Sequence, residues 1–91
     1  MIMDATLIKE GDVLSISPKD GKKFSLAELQ AAVGGYIEIV PLKNKKLMVV
    51  NEDGKIMGLY FNVAATIILR ASSPTNDYIV GNALICTEDM I

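Results

Sequence analysis

The stretch that decides the fold is Phe24 to Leu42, FSLAELQAAVGGYIEIVPL. Its start has the pattern of a capping box, because the Ser25 hydroxyl can accept from the amide of Glu28 while the Glu28 carboxylate reaches back to the amide of Ser25. Phe24 and Leu29 have the spacing of the accompanying hydrophobic staple. Apolar residues then recur three and four positions apart, so the pattern predicts a short helix with one buried face.

The double glycine predicts where this helix ends and how the chain reverses. Gly34 can adopt the left-handed conformation that ends a helix, and Gly35 lets the chain pass close to the next element. The residues that follow, Tyr36 to Leu42, are typical of a β-strand. Pro41 is expected to stop that strand, because proline has no amide to donate to a neighbouring strand.

The composition predicts one small domain that associates with itself. The chain has 91 residues, of which 51% are apolar and 22% are charged. A globule of this size has a large surface relative to its interior and cannot bury so many apolar side chains. Surplus apolar surface in a short chain usually forms a subunit interface, so we expect a single domain over residues 1–91 that forms a homo-oligomer.

Charge and rare residues exclude several kinds of chemistry. Basic and acidic residues nearly balance, which gives a net charge of -2. The chain therefore lacks the positive charge that strong attraction to nucleic acid or to an anionic membrane requires. With no histidine and a single cysteine, Cys86, the usual metal sites, an internal disulfide and a histidine-based triad are excluded. We therefore expect no cofactor and no metal, and we assign no catalytic residue. Without a signal-peptide core or a run of about 20 apolar residues, we expect a cytoplasmic protein.

The remaining elements are predicted from turn residues and β-rich runs. An N-terminal hairpin is expected over residues 5–17, a second hairpin over residues 36–51, a short strand over residues 55–57 and a last strand over residues 83–87. Residues 47–50 are apolar without a break, which predicts the strand at the centre of the sheet. The tail from residue 88 to 91 is expected to fray.

A second helix is predicted from Val63 to Arg70, with Asn62 as its cap. It is apolar on nearly every side, so we expect it to be buried. The expected architecture is α+β, with about five short, mainly antiparallel strands and two helices packed on one face.

Four motifs recur together in one order: AVGGYIE at 32–38, NEDGK at 51–55, Asn62 with Ala65-Thr66, and IVG at 79–81. With this set the chain resembles a small uncharacterised domain family of phages and of plasmid or integrative elements of bacteria, a domain of unknown function. The resemblance covers residues 24 to 86 and leaves the N-terminal hairpin outside. It implies a mobile-element context and supplies no activity.

Four residues are candidates for a ligand site. Glu38 is an acid within an apolar strand. If its side of the strand is covered, the carboxylate needs a partner such as Lys46 or Arg70, and a covered acid marks a candidate site. If that side is not covered, Glu38 faces water. Asn62 and Thr66 can present polar groups to a ligand from a helix start, although capping alone explains Asn62. Arg70 lies four residues after Thr66, on the same helix face.

Three functional hypotheses follow. The first is a non-enzymatic binding protein of a phage or mobile element, which captures a host protein or small ligand as a homo-oligomer. The second is a metal-assisted hydrolase that pairs Glu38 with Glu52 or Asp53, although Asn51 to Gly54 also reads as a plain turn. The third is weak nucleic-acid binding through the lysines of the second hairpin, Lys43, Lys45 and Lys46, with Tyr36 or Tyr60 for stacking. A solvated turn is the favoured explanation of these lysines, because they lack arginine and interleaved aromatic residues.

Overall fold

A computed structural model describes residues 5–91 of the chain. The sheet consists of five strands, and three helices and one 3-10 turn accompany it. In chain order the elements are β1 (Ala5–Lys9), β2 (Asp12–Ile16), α1 (Leu26–Val33), β3 (Ile37–Pro41), β4 (Lys46–Asn51), α2 (Gly54–Met57), α3 (Val63–Ser72), β5 (Ala83–Thr87) and the 3-10 turn (Glu88–Met90). No helix within residues 5–91 is long and apolar enough to cross a bilayer.

All strand pairs in the sheet are antiparallel, and the strand order is β2-β1-β5-β4-β3. The last strand of the chain, β5, is therefore the central one. It pairs with β1 through Leu7 and Leu84, and with β4 through Val49 and Leu84. The prediction that residues 47–50 form the central strand is wrong by one position, because β4 lies between β5 and the edge strand β3.

The sheet is covered on both faces, which divides the core in two. Leu47 and Val49 of β4 pack in the cluster that contains α1, whereas Met48 and Val50 pack in the cluster that contains α3. Successive side chains of a strand point to opposite faces, so α1 and α3 lie on opposite sides of the sheet. The α+β class with five short antiparallel strands is confirmed, and the expectation that both helices share one face is corrected. The unbroken apolar run in β4 follows from this double cover.

The start of α1 confirms the capping box. The Glu28 amide donates to Ser25 Oγ at 3.1 Å, and the Ser25 amide donates to Glu28 Oε1 at 2.9 Å. Phe24 and Leu29 lie in one core cluster, as the hydrophobic staple predicts. The helix ends at Gly34, whose φ of 79° is left-handed. Both ends of this helix are therefore set by local residues.

Gly35 is required by a close approach between α1 and β4. A Cβ at Gly35 would lie 2.9 Å from Asn51 Nδ2. Asn51 is buried, and its amide has no freedom to move aside because Nδ2 donates to Val33 O at 3.2 Å and Oδ1 accepts from the Asp53 amide at 2.8 Å. Asn51 therefore joins the end of α1 to the turn after β4.

The first prediction concerns this contact. Gly35→Ala is expected to lower the free energy of unfolding by about 1–3 kcal/mol, because the new methyl group overpacks a buried, hydrogen-bonded amide. Urea unfolding checks the change. In an Asn51→Ala background the same substitution should cost much less, since the amide it meets has been removed. An equal cost in both backgrounds would contradict the contact.

The second hairpin is confirmed, and its turn departs from the usual residue preferences. The Lys46 amide donates to Lys43 O at 3.4 Å, and the two residues between them, Asn44 and Lys45, have φ of 61° and 60°. Positive φ at both central positions defines a type I′ turn, whose twist matches that of the paired strands. Glycine is favoured at the second position, so Lys45 is held in a conformation that costs a side chain energy.

Two segments differ from the sequence prediction. Residues 55–57 form part of the helical turn α2 and not a strand, because Gly58, with φ of 70°, caps it as Gly34 caps α1. The tail is packed, not frayed: Met90 is buried in the α1 cluster, and its carbonyl accepts from the Phe24 amide at 2.7 Å. The tail thus closes the core on the α1 side.

The N-terminal hairpin and α3 also depart in detail from the prediction. The β2 strand ends at Ile16, one residue before the predicted end of the hairpin. Helix α3 begins at Val63 and is capped by Asn62 as predicted. It is not buried all round: Val63 is 58% exposed and Ile67 is 63% exposed.

Candidate functional site

A cleft of about 170 Å³ lies beside the edge strand β3, between β4, α2 and residues 77–80. Its apolar part includes Val50 and Ile79, both buried. Its polar lining residues are Glu38, Asn51, Glu52, Lys55, Asp77 and Tyr78. Of the four candidate residues from the sequence, Glu38 is the one that lines this cleft.

Lys55 and Asp77 form an ion pair in the cleft. Lys55 Nζ lies 2.5 Å from Asp77 Oδ1 and 4.3 Å from the centre of the Tyr78 ring. The hydrogen bond from Lys55 lowers the pKa of Asp77, with help from the Tyr78 amide, and the same bond raises the pKa of Lys55. Both side chains are about half exposed, 49% and 56%, so the pair contributes little to stability.

Glu38 is exposed and has neither of its expected partners. It pairs with Val50 across the β3–β4 ladder, whereas Lys46 pairs with Thr87 on the other side of β4. The cation near Glu38 is Lys55, whose pKa it helps to raise. The solvent-facing interpretation of Glu38 therefore agrees with its position, at the edge of a cleft that also holds Glu52.

Arg70 supports the loop that carries Asp77. Its Nε donates to Asp77 O at 3.0 Å, and its Nη2 donates to Asn76 O at 3.2 Å. These bonds fix the backbone that places the Asp77 carboxylate near Lys55. Arg70 thus acts on the cleft through the loop and not through direct contact with Glu38.

Asn62 and Thr66 hold the chain together inside the protein. Asn62 Oδ1 accepts from the Ala65 amide at 3.0 Å, and Asn62 Nδ2 donates to Ile8 O at 3.2 Å and to Gly81 O at 2.8 Å. Thr66 Oγ1 accepts from the Ile79 amide at 2.9 Å. Both side chains are 3% exposed, so their polar atoms serve the fold.

The carboxylates near β4 do not converge. Glu52 lines the cleft and Asp53 does not. Within residues 5–91, no three His, Cys, Asp or Glu side chains are grouped so as to hold a metal ion. The hydrolase hypothesis stays a prediction, and its pair of acids in this cleft is Glu38 with Glu52.

The lysine hairpin and Tyr36 lie at opposite ends of β3. Lys43, Lys45 and Lys46 are exposed at one end of β3, and Tyr36 precedes the other end, about 17 Å away along five residues of strand. Tyr60 is half-buried and donates through its hydroxyl to Asn82 Oδ1 at 2.6 Å. The nucleic-acid hypothesis also stays a prediction, and Tyr36 is too far along β3 to stack beside these lysines.

The outward side of α3 is an uncovered apolar surface. Val63, Ala64, Ile67 and Ala71 are all exposed and lie on one side of the helix, and we call them the α3 apolar face. Phe61 precedes the helix and is 52% exposed, with its ring centre 5.7 Å from that of Tyr78. Val13, Phe61 and Val63 line a shallow groove near the β1–β2 turn, so the apolar surface continues beyond the helix.

Lys55, Asp77 and Tyr78 were missed by the sequence interpretation. The sequence predicts Lys55 in a strand and gives no site prediction for Asp77 or Tyr78. A signal for the helical turn was present, since Gly58 stands where a helix-ending glycine belongs. The pairing of Lys55 with Asp77 spans 22 residues of chain and has no local signal.

Cys86 is buried in the core, as expected of a small apolar residue. Burial raises the pKa of its thiol to about 11. The thiolate, which is the nucleophilic form, is therefore scarce at neutral pH.

The second prediction concerns pH. Backbone amides of Lys22 and Lys23 lower the pKa of Asp20, and those of Ser25 and Lys19 lower that of Glu28. The ion pair with Lys55 lowers the pKa of Asp77. A carboxyl whose pKa is lower in the folded state stabilises the fold above its unfolded pKa of about 4, and this stability is lost as the pH falls through the folded pKa.

We therefore expect the urea midpoint to fall between pH 5 and pH 2, about the range in which these carboxyls gain protons. Glu28→Gln keeps a polar side chain for the capping box but removes one titrating group. Its midpoint should fall less over this range than that of the unmodified protein. Parallel curves for the two proteins would contradict a role for Glu28 in the acid sensitivity.

The fold and these surfaces define a small α+β protein with a five-stranded antiparallel sheet, one helix on each face, a small polar cleft and an uncovered apolar helix face. The chain belongs to the family described as Domain of unknown function (DUF3846), whose model matches residues 3–90. The match includes the N-terminal hairpin, which corrects the expectation that the hairpin lies outside. No curated protein and no solved structure matches the chain.

Proposed function

We propose that this protein is a non-enzymatic binding protein of a phage or mobile element, which acts in the cytoplasm as a symmetric homo-oligomer and captures a host protein or a small ligand. The observation that carries the proposal is the amount of apolar side chain left on the surface. In residues 5–91, eleven large apolar side chains are exposed, and Ile56 is 89% exposed. Extended apolar surface on a small protein ordinarily marks an interaction site.

The exposed side chains are not the result of an unfilled core. Met48, Val49 and Leu84 are fully buried, and both faces of the sheet are covered by apolar clusters. The interior is therefore occupied, and the remaining apolar residues have no place within one copy of the chain. Contact with another protein surface removes them from water, at about 25 cal/mol per Å² of apolar area.

The size of this cleft makes one side chain of a bound protein a better occupant of it than a small-molecule ligand. Its volume is about 170 Å³. Pockets that hold small-molecule ligands usually have roughly 300–1,000 Å³. A space of this size suits one side chain of a bound protein, and the carboxylates of Glu38 and Glu52 favour a cationic one.

The third prediction is the oligomeric state. At tens of micromolar the protein is expected to have a mass of at least twice 9.8 kDa in size-exclusion chromatography with light scattering. The association should persist in high salt, because apolar contacts are not screened. A mass of 9.8 kDa across that concentration range would contradict the homo-oligomer.

Native mass spectrometry of the protein purified from its own host tests the capture. The expected result is a species heavier than a whole multiple of the subunit mass, which releases a protein partner on activation. Whole multiples of 9.8 kDa alone would contradict capture of a retained partner and leave the oligomer intact.

A further inference from the structure

We infer that the α3 apolar face is the contact between two copies of this chain, with the two α3 helices packed antiparallel about a two-fold axis at Ile67. The inference rests on the proposed self-association and adds its location and geometry. Four features of the α3 apolar face support the inference: its lack of a cover, its charge, its shape and its area.

Helix α3 has the composition of a buried helix but is covered on one side. Ala65, Thr66 and Leu69 face the sheet and are buried. On the other side, Val63 is 58% exposed and Ile67 is 63% exposed. A helix that is apolar all round is ordinarily buried all round, so the outward side of α3 lacks the cover that its composition predicts.

The charge of the face favours a second copy as that cover. Its four residues are uncharged, and Arg70, the one charged residue of α3, points its guanidinium to the carbonyls of Asn76 and Asp77. In a two-fold contact the same patch meets itself, so a charge near the axis would face its like. An uncharged face avoids this repulsion. It offers no counter-charge to a charged partner, whose buried groups would stay unpaired.

The shape of the face is complementary to itself in the antiparallel arrangement. Val63, Ile67 and Ala71 are spaced by four residues and form one ridge along the helix. A two-fold axis at Ile67 places this residue against its own copy and the larger Val63 against the smaller Ala71. Ridges of this spacing pack with helix axes 8–10 Å apart and a crossing angle of about -50°.

A dimer of standard size would use the flanking residues as well as the helix. A standard interface takes about 800 Å² from each partner, roughly one seventh of the 5639 Å² surface of this chain. Helix α3 is about 15 Å long and supplies part of that area. Phe61 and Val13, 52% and 62% exposed at its N-terminal end, extend the surface.

Ile67→Asp tests the location of the contact. The substitution places two carboxylates against each other on the axis, so the mass in light scattering should fall by at least half at tens of micromolar. Because Ile67 points away from the core, circular dichroism and urea unfolding of the monomer should remain cooperative. Leu26→Asp is the matched control: it makes the same change at a residue 59% exposed on α1, on the opposite face of the sheet, and its mass should equal that of the unmodified protein.

Cross-linking provides a second measurement that needs no loss of assembly. Ile67→Cys is expected to give a disulfide-linked dimer on mild oxidation, because residues on a helix-packing axis approach within disulfide distance. The one native thiol, Cys86, is buried and its raised pKa, about 11, keeps it unreactive. Leu26→Cys, on the opposite face of the sheet, should remain monomeric on a denaturing, non-reducing gel.

The outcomes separate the inference from the proposed function. If the unmodified protein is oligomeric but Ile67→Asp keeps the full mass and Ile67→Cys does not cross-link, the two copies meet elsewhere and the inference is overturned alone. If the unmodified protein is a monomer, the inference and the proposed self-association are both overturned. Dissociation by Ile67→Asp together with a cross-link through Ile67→Cys supports both.

Discussion

Leu84→Ala is expected to lower the free energy of unfolding by about 2–5 kcal/mol, which is a large part of the stability of a 91-residue domain. Leu84 lies on the central strand and is 0% exposed. Its cross-strand neighbours are Leu7 and Val49, and all three belong to the cluster under α1. The smaller side chain leaves a cavity that the surrounding strands cannot close, since they are fixed by pairing on both sides.

Urea unfolding at a fixed protein concentration measures this loss, because the stability of an oligomer depends on concentration. Ile56→Ala is the control: this side chain is 89% exposed, and its removal should change the stability by less than about 0.5 kcal/mol. Similar losses for the two variants would contradict the buried position of Leu84.

Asn62→Ala is expected to lower the free energy of unfolding by about 3 kcal/mol. The substitution removes the cap of α3 and leaves the carbonyls of Ile8 and Gly81 without their donor in the interior. Loss of a cap costs about 1 kcal/mol, and each buried polar group left unpaired adds about 1–3 kcal/mol unless water reaches it. Urea unfolding without any added ligand measures the effect.

Asn62→Asp separates the capping of α3 by the Asn62 side-chain oxygen from the hydrogen bonds donated by its side-chain amide. Asparagine and aspartate cap helices about equally well, so the variant keeps the acceptor for the Ala65 amide. It loses both N–H donors and turns a carboxyl oxygen toward two carbonyls. A loss of stability near that of Asn62→Ala is therefore expected, and a variant as stable as the unmodified protein would contradict the structural role of the donors.

The parts of the fold that depend on neighbouring residues were predictable from the sequence. The capping box of Ser25 and Glu28, the glycines that end α1 and the β3–β4 hairpin all involve residues within a few positions of each other. The sides on which the helices lie were not, because they depend on β5 entering between β1 and β4. This insertion pairs the second edge of β4, while the clusters that contain α1 and α3 cover its two faces.

In the candidate site, too, the feature that depends on neighbouring residues was predictable and the feature that depends on distant residues was not. Glu38 was identified because an acid between Ile37 and Ile39 interrupts a local apolar pattern. The cleft beside it depends on α2 and on residues 77–80, which meet through the Lys55–Asp77 ion pair. Composition identified the surplus of apolar residues, but the structure was needed to locate part of it on the outward side of α3.

The strand order also affects when the protein can fold during synthesis. Two hairpins, β1–β2 and β3–β4, contain only local pairings and can form as soon as their residues leave the ribosome. They cannot join until Ala83–Thr87 has emerged, because this strand lies between them. Until then each hairpin exposes an unpaired edge and an apolar face, and nascent chains on the same messenger are at risk of pairing with one another.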